Sequence, residues 1–96
     1  MATRNGVGKE LTADTDGDQV SLYGAHGISV YNSGSNTVYL SVDSTVATLV
    51  AAIAAGTALP LPGGQSYTFG PNDHPSFNTL EVATASDTSA VKIAAS

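Results

Sequence analysis

Three carboxylates crowd one short stretch, Asp14-Thr15-Asp16-Gly17-Asp18. Acids spaced this closely converge on calcium when the loop between them bends suitably. Counting from Asp14, the places where an EF-hand loop sets its glycine and its closing glutamate hold Gln19 and Ala25, and the glycine comes two places early. Asp16-Gly17 is also a favoured type I′ hairpin dipeptide, with the glycine taking positive φ between two strand candidates. The stretch is expected as a turn, with a cation-binding turn as the alternative.

His26 and His74 are the only imidazoles, and there is no cysteine. A nucleophilic triad would need one histidine as base, a serine and an orienting acid. Asp73 adjoins His74, but neighbours in sequence seldom point at one substrate, and no serine sits in a G-x-S-x-G elbow. With 22 serines and threonines, hydroxyls carry no information by their presence. A histidine-based metal site needs three or four ligands, so His26, His74 and the acidic turn would have to meet by folding. Gly63-Gly64 is followed by no lysine and comes after the helix candidate, so it is no phosphate cradle. The chain is expected not to be an enzyme, with no catalytic residue, no metal ligand set and no cofactor. Four tyrosines leave sugar recognition open.

The elements that would position these residues are short. Ninety-six residues make one domain with one small core. Only 11% of residues are charged, against about a quarter in ordinary domains, and the formal charge is -5. That balance lacks the cationic footprint of a nucleic-acid binder or an anionic-membrane binder. Met1 to Lys9 is polar where a secretory signal would be apolar, and no stretch approaches the ~20 apolar residues of a membrane span, so a soluble, unsecreted chain is expected.

Residues 1–8 hold little to bury and read as a flexible N-terminal arm, ahead of a single β domain over 9–96. Arg4 and Lys9, two of the three cations, lie at this end and would tether it to an acidic neighbour. Strands are expected at 9–13 and 19–23 around the acidic turn. A hairpin follows, with Ile28 and Val30, then Val38, Leu40 and Val42, alternating on one face across the turn 32–36. Its Tyr31 and Tyr39 fall on the opposite face as a cross-strand pair, either packed under the arm or forming a subunit contact.

Val46, Leu49, Val50 and Ile53 recur at helical spacing, which gives one short helix near 45–55 with Ser44 as N-cap and Gly56 after its end. Pro60 and Pro62 confine the stretch before the Pro-Gly-Gly turn to a sheet edge, or outside the sheet. Tyr67 and Phe69 share a face of the next strand, and two last strands follow around Leu80 to Val82 and Val91 to Ile93. The sum is a mainly β fold, a β-sandwich or jelly-roll-like barrel with one short helix.

The order of I-S-V-Y-N-S-G-S-N-T-V-Y-L at 28–40, A-L-P-L-P-G-G-Q-S-Y-T-F at 58–69 and L-E-V-A-T-A-S-D-T-S-A-V-K-I at 80–93 resembles the small β-sandwich virion proteins of tailed bacteriophages. That resemblance implies a capsid decoration (cement) subunit that binds and stabilises the major capsid protein lattice. The alternative is a carbohydrate-binding or receptor-recognition module of a tail or fibre. It further implies assembly in the host cytoplasm, a place on the capsid exterior and a homo-oligomer, a trimer at a local threefold. Partner-binding candidates are Arg4, Lys9, Tyr31 and Tyr39, and neither nucleic acid nor membrane is expected as a partner.

Overall fold

A computed structural model describes residues 7–70 and 77–95, which places Arg4, Asp73 and His74 outside the described residues. Eight strands and one helix follow in the order β1 (Val7–Ala13), β2 (Asp18–Ala25), β3 (Ile28–Asn32), β4 (Val38–Val42), α1 (Val46–Ala55), β5 (Leu59–Leu61), β6 (Ser66–Phe69), β7 (Phe77–Thr84) and β8 (Ser89–Ala95). They form two antiparallel four-stranded sheets, β1-β8-β3-β6 and β2-β7-β4-β5. The fold is a β-sandwich of jelly-roll type with one short helix. Val7 and Gly8, assigned to the arm from sequence, already pair with Ala95 and Ala94 in β1, so the strand starts two residues earlier than expected.

Alternation builds the core. Val20, Leu80, Val82, Val38 and Leu40 of one sheet meet Ile28, Val30, Val91 and Ile93 of the other, all buried. Of the connections, only the one through α1 returns to its own sheet, linking β4 to its antiparallel neighbour β5; the others cross between sheets. This corrects the expected hairpins. Strands β1 and β2, β3 and β4, and β7 and β8 do not pair with one another. A period of two tells which face a residue takes but not which strand lies beside it. In the first turn the Asp14 carbonyl accepts from Thr84 N (2.9 Å), and Gly17 takes φ 82 while Asp16 stays outside positive φ, so the turn is not type I′. In the second, Ser33 N and Gly34 N both donate to Ala90 O of β8. Gly34 and Gly63 let the loop after β3 touch the turn between β5 and β6, since a Cβ on Gly63 would lie 2.6 Å from the Gly34 carbonyl oxygen.

The helix packs over the outer face of β7 and β4. Its N-cap is Thr45 rather than Ser44: Thr45 is extended (φ -131, ψ 156) and its Oγ1 accepts from Thr48 N at 3.1 Å, while the Ser44 amide is already spent on Glu81. Gly56 closes the helix at φ 77, as expected. Of the expected apolar stripe only Leu49 is fully buried; Val46 and Ile53 are half-buried and Val50 is exposed. Strand β5 lies at a sheet edge, where Pro60 costs no ladder bond inside the sheet. Thr45→Ala is expected to cost about 1 kcal/mol, or roughly 4 to 8 °C in Tm, with Thr45→Ser close to wild type in thermal unfolding.

Candidate functional site

Among the described residues, those weighed for catalysis or metal binding do not come together. Asp14 Oδ1 accepts from Asp16 N and Gly17 N, both at 3.1 Å, so this carboxylate closes its own turn. His26 is exposed in the bend after β2. Among the described residues no group of three or more His, Cys, Asp or Glu is placed to hold a metal ion. Among the described residues the core between the sheets is built of aliphatic and phenyl side chains, which offer no donor to a metal.

What the fold does assemble is a row on the outer face of β1-β8-β3-β6. Glu10 of β1 stands opposite Lys92 of β8, Lys92 opposite Tyr31 of β3, and Tyr31 opposite Ser66 of β6. In antiparallel pairs residues in register share a face, so an acid, a base, a phenol and a hydroxyl line up across four strands, spanning about 14 Å at ~4.8 Å per strand. The next rung is small: Gly8, Ala94, Ser29 and Thr68, with the Ser29 and Thr68 hydroxyls 3.3 Å apart. Lys9, Glu10, Ser29, Tyr31, Ser66 and Lys92 border an open depression of about 490 Å³. Tyr31 is 43% exposed there, and the helix covers the other sheet.

The local reason is strand phase. With Val30 and Asn32 buried, Tyr31 must point out; with Val91 and Ile93 buried, so must Lys92. Of the partner-binding candidates, the structure brings Tyr31 to this face; Lys9 borders the depression but is in register with buried Ile93, which puts it on the other side of edge strand β1. Tyr39 is corrected: flanked by buried Val38 and Leu40 on β4, it points outward from the opposite sheet, half-buried, and forms no pair with Tyr31. The strands that carry the two tyrosines belong to different sheets, so the face they were expected to share does not exist. Sequence reasoning missed Glu10, Ser66 and Lys92, because the row is defined only by register between strands distant in sequence.

Two buried polar groups complete the scaffold: Asn32, which alternation puts on the face of Ile28 and Val30, and Glu81, which the sequence reading did not single out. Asn32 is 0% exposed and uses both ends of its amide: Nδ2 donates to Asn36 O (2.7 Å) and Leu61 O (2.9 Å), while Oδ1 accepts from Gly34 N (3.1 Å) and Ser89 Oγ (2.6 Å). Glu81, also 0% exposed, lies under the approach to α1. Its Oε1 accepts from Ser41 Oγ (2.6 Å) and Ser44 N (3.2 Å), and its Oε2 from Gln19 Nε2 (3.1 Å). Both groups serve the scaffold rather than an open site.

No protein-family model matches the chain, and no curated protein matches it by sequence. Solved structures are similar in fold. A cupin-2 domain containing protein from Shewanella frigidimarina superposes with TM-score 0.52 at 7% identity, over 91% of this chain and 66% of that one. PirA superposes at 0.55 with 9% identity over 93% of both chains. HppE, solved as its CoII form with substrate, reaches 0.51 at 11% identity, over 93% of this chain but 44% of its own. At these identities the likeness concerns the fold alone, a cupin-like β-barrel. A metal such as the cobalt of HppE does not fit the described residues, since no donor set converges in the barrel interior or on its outer faces.

Proposed function

We propose that the chain is a non-catalytic virion protein of a tailed bacteriophage, a decoration subunit that binds the major capsid protein lattice through the open face of β1-β8-β3-β6. The observation that carries the reading is that face: left open by the described residues, crossed by the row Glu10-Lys92-Tyr31-Ser66, and otherwise set with small side chains. A flat sheet face suits a broad protein surface better than a small molecule. The apolar filling between the sheets supports a non-catalytic role, and the sequence resemblance over 28–40, 58–69 and 80–93 supports the virion.

Four strands of about six residues present roughly 19 by 20 Å, near 400 Å², about half of what one partner contributes to a standard interface. The rest is assigned to the arm over 1–8, with Arg4 and Lys9 pairing carboxylates of the shell, and to avidity from a trimer on the capsid exterior. The test mixes purified protein with capsids of its phage assembled without it. Wild type is expected to cosediment. The double variant Tyr31→Thr, Lys92→Gln is expected to bind at least ~30-fold more weakly, as loss of a central aromatic and a charge would give. Thermal stability should stay within about 0.5 kcal/mol, because both side chains are exposed.

A second reading, recognition of a glycan, draws on Tyr31 beside the Ser29, Ser66 and Thr68 hydroxyls. Absence of capsid binding, together with glycan binding that Tyr31→Ala abolishes, would replace the first reading with this one.

A further inference from the structure

Between Asp43 and Asp73 the chain carries no Asp, Glu, Lys or Arg, and this stretch contains all of α1 and β5. A surface helix ordinarily sets polar and charged residues opposite its packed face. Here α1 turns Leu49 to the sheet and presents Ala47, Val50, Ala51 and Ala54 to solvent, with no acid in its first turn and no base in its last. Beside β4, strand β5 adds exposed Pro60, in register with outward-pointing Tyr39, on the edge of the same sheet, whereas Leu59 follows Leu40 to the other side. The result is an uncharged apolar face on a molecule of net charge -5.

We propose that this face packs against the same face of a second copy of the chain. The charge distribution selects that occupant. Two copies repel wherever their acids meet; the nearest exposed acids, Asp43 and those of the 14–18 turn whose Gly17 abuts Val46, stand at the start of α1, which leaves its later turns and β5 clear of charge. The α1 and β5 face is where like-charged copies approach without that cost. A foreign charged partner would find no sign here to complement, whereas an uncharged face is complementary to itself under a symmetry axis. Ala47, Ala51 and Ala54 admit a neighbouring backbone closely, and Val50 supplies the apolar area to be covered. Such a same-face contact closes at two copies about a twofold axis, so the inference is separate from the trimer of the proposed function.

Purified protein alone tests it, so failure here and failure to bind capsids are separate results. Sedimentation from about 1 µM to about 1 mM is expected to show wild type associating reversibly. Ala51→Glu should weaken association at least tenfold with unchanged Tm at low concentration. Ser86→Glu, which adds the same charge in an exposed loop after β7, should change it less than threefold. Ala47→Arg lowers the net repulsion yet should also dissociate the copies, and it serves if Ala51→Glu fails to fold. Wild type that stays monomeric throughout, association that survives both helix variants, or equal weakening by Ala51→Glu and Ser86→Glu would each overturn the proposal.

Discussion

Replacing Asn32 by alanine is expected to remove about 3 to 5 kcal/mol of stability, from a total of roughly 5 to 15 for a domain of this class. The reason lies in what the amide holds. Its four bonds tie the end of β3 to the following loop through Asn36 and Gly34, to β5 through Leu61, and to β8 through Ser89. Its backbone does likewise, with Asn32 N donating to Gln65 O and Gly64 N to Asn32 O. Truncation removes the side-chain partner of the Leu61 carbonyl and of the Ser89 hydroxyl in a buried site, each at about 1 to 3 kcal/mol, while the Gly34 amide keeps only its longer bond to Ala90 O. Thermal unfolding should shift down by roughly 15 to 30 °C. Ser89→Ala removes only one of the four bonds and should cost about 1 kcal/mol. The double variant should cost less than the sum, since Ser89 has lost its partner already. A loss below about 1 kcal/mol for Asn32→Ala would mean that water takes over these bonds, and the network would not be what joins the loops. The consequence reaches the proposed binding face, because Asn32 fixes the phase of β3 and Tyr31 is its neighbour.

Much of this architecture is legible in the sequence, and the part that is not has a common cause. Alternation alone assigns Ile28, Val30, Val38 and Leu40 to the interior, and all four are buried. Helical spacing finds α1, Gly56 finds its end, and Pro60 finds the sheet edge. Those are local signals, each set by one residue's backbone preference or by period. Pairing is not local. The segments 28–32 and 38–42 carry hairpin-like spacing, yet the loop between them bonds to Ala90 and sends β4 into the other sheet. A short connection serves a hairpin and a crossing between layers equally well, so strand order rests on contacts between residues far apart in the chain.

The row Glu10-Lys92-Tyr31-Ser66 was invisible for the same reason: its members come from β1, β8, β3 and β6, and nothing in any one strand marks them. The cation at Lys9 and the aromatic at Tyr31 were picked out by type, and register puts Tyr31 on the outer face while Lys9, opposite Ile93, takes the other side of β1. Tyr39 was picked out by the same reasoning, and β4 carries it to the opposite sheet. Glu81 shows the remaining limit. Between Leu80 and Val82 it points away from the core, as alternation requires, and is buried because a helix from elsewhere in the chain lies over it.

That covered carboxylate supports the second large expected effect. Glu81→Ala should cost about 3 kcal/mol and should free the helix before the rest of the fold. Glu81 accepts from Ser41 of β4, from Gln19 of β2 and from the Ser44 amide just ahead of the N-cap, so one side chain fastens the chain entering α1 to two strands. Gln19 Nε2 also donates to Ser44 O at 3.2 Å, which closes a small ring of polar groups under the helix start. Negative charge near a helix N-terminus is favourable as well, by about 0.3 to 1 kcal/mol. Alanine removes all of this and leaves the Ser41 hydroxyl and the Ser44 amide without their acceptor.

Glutamine has nearly the same shape and should cost less, about 1 kcal/mol, because its oxygen still accepts from Ser41 and Ser44 while Gln19 turns its amide to meet the new donor. The distinguishing measurement is amide hydrogen exchange. In Glu81→Ala the amides of α1 should lose protection by an amount exceeding the global loss, since local opening of the helix becomes easier than unfolding of the sheets. Uniform loss across α1 and β8 would show instead that Glu81 contributes to the sheet and not to the helix anchor. Should α1 loosen, association through its outer face should weaken in parallel, although Glu81 itself is buried beneath the helix and cannot touch a second copy.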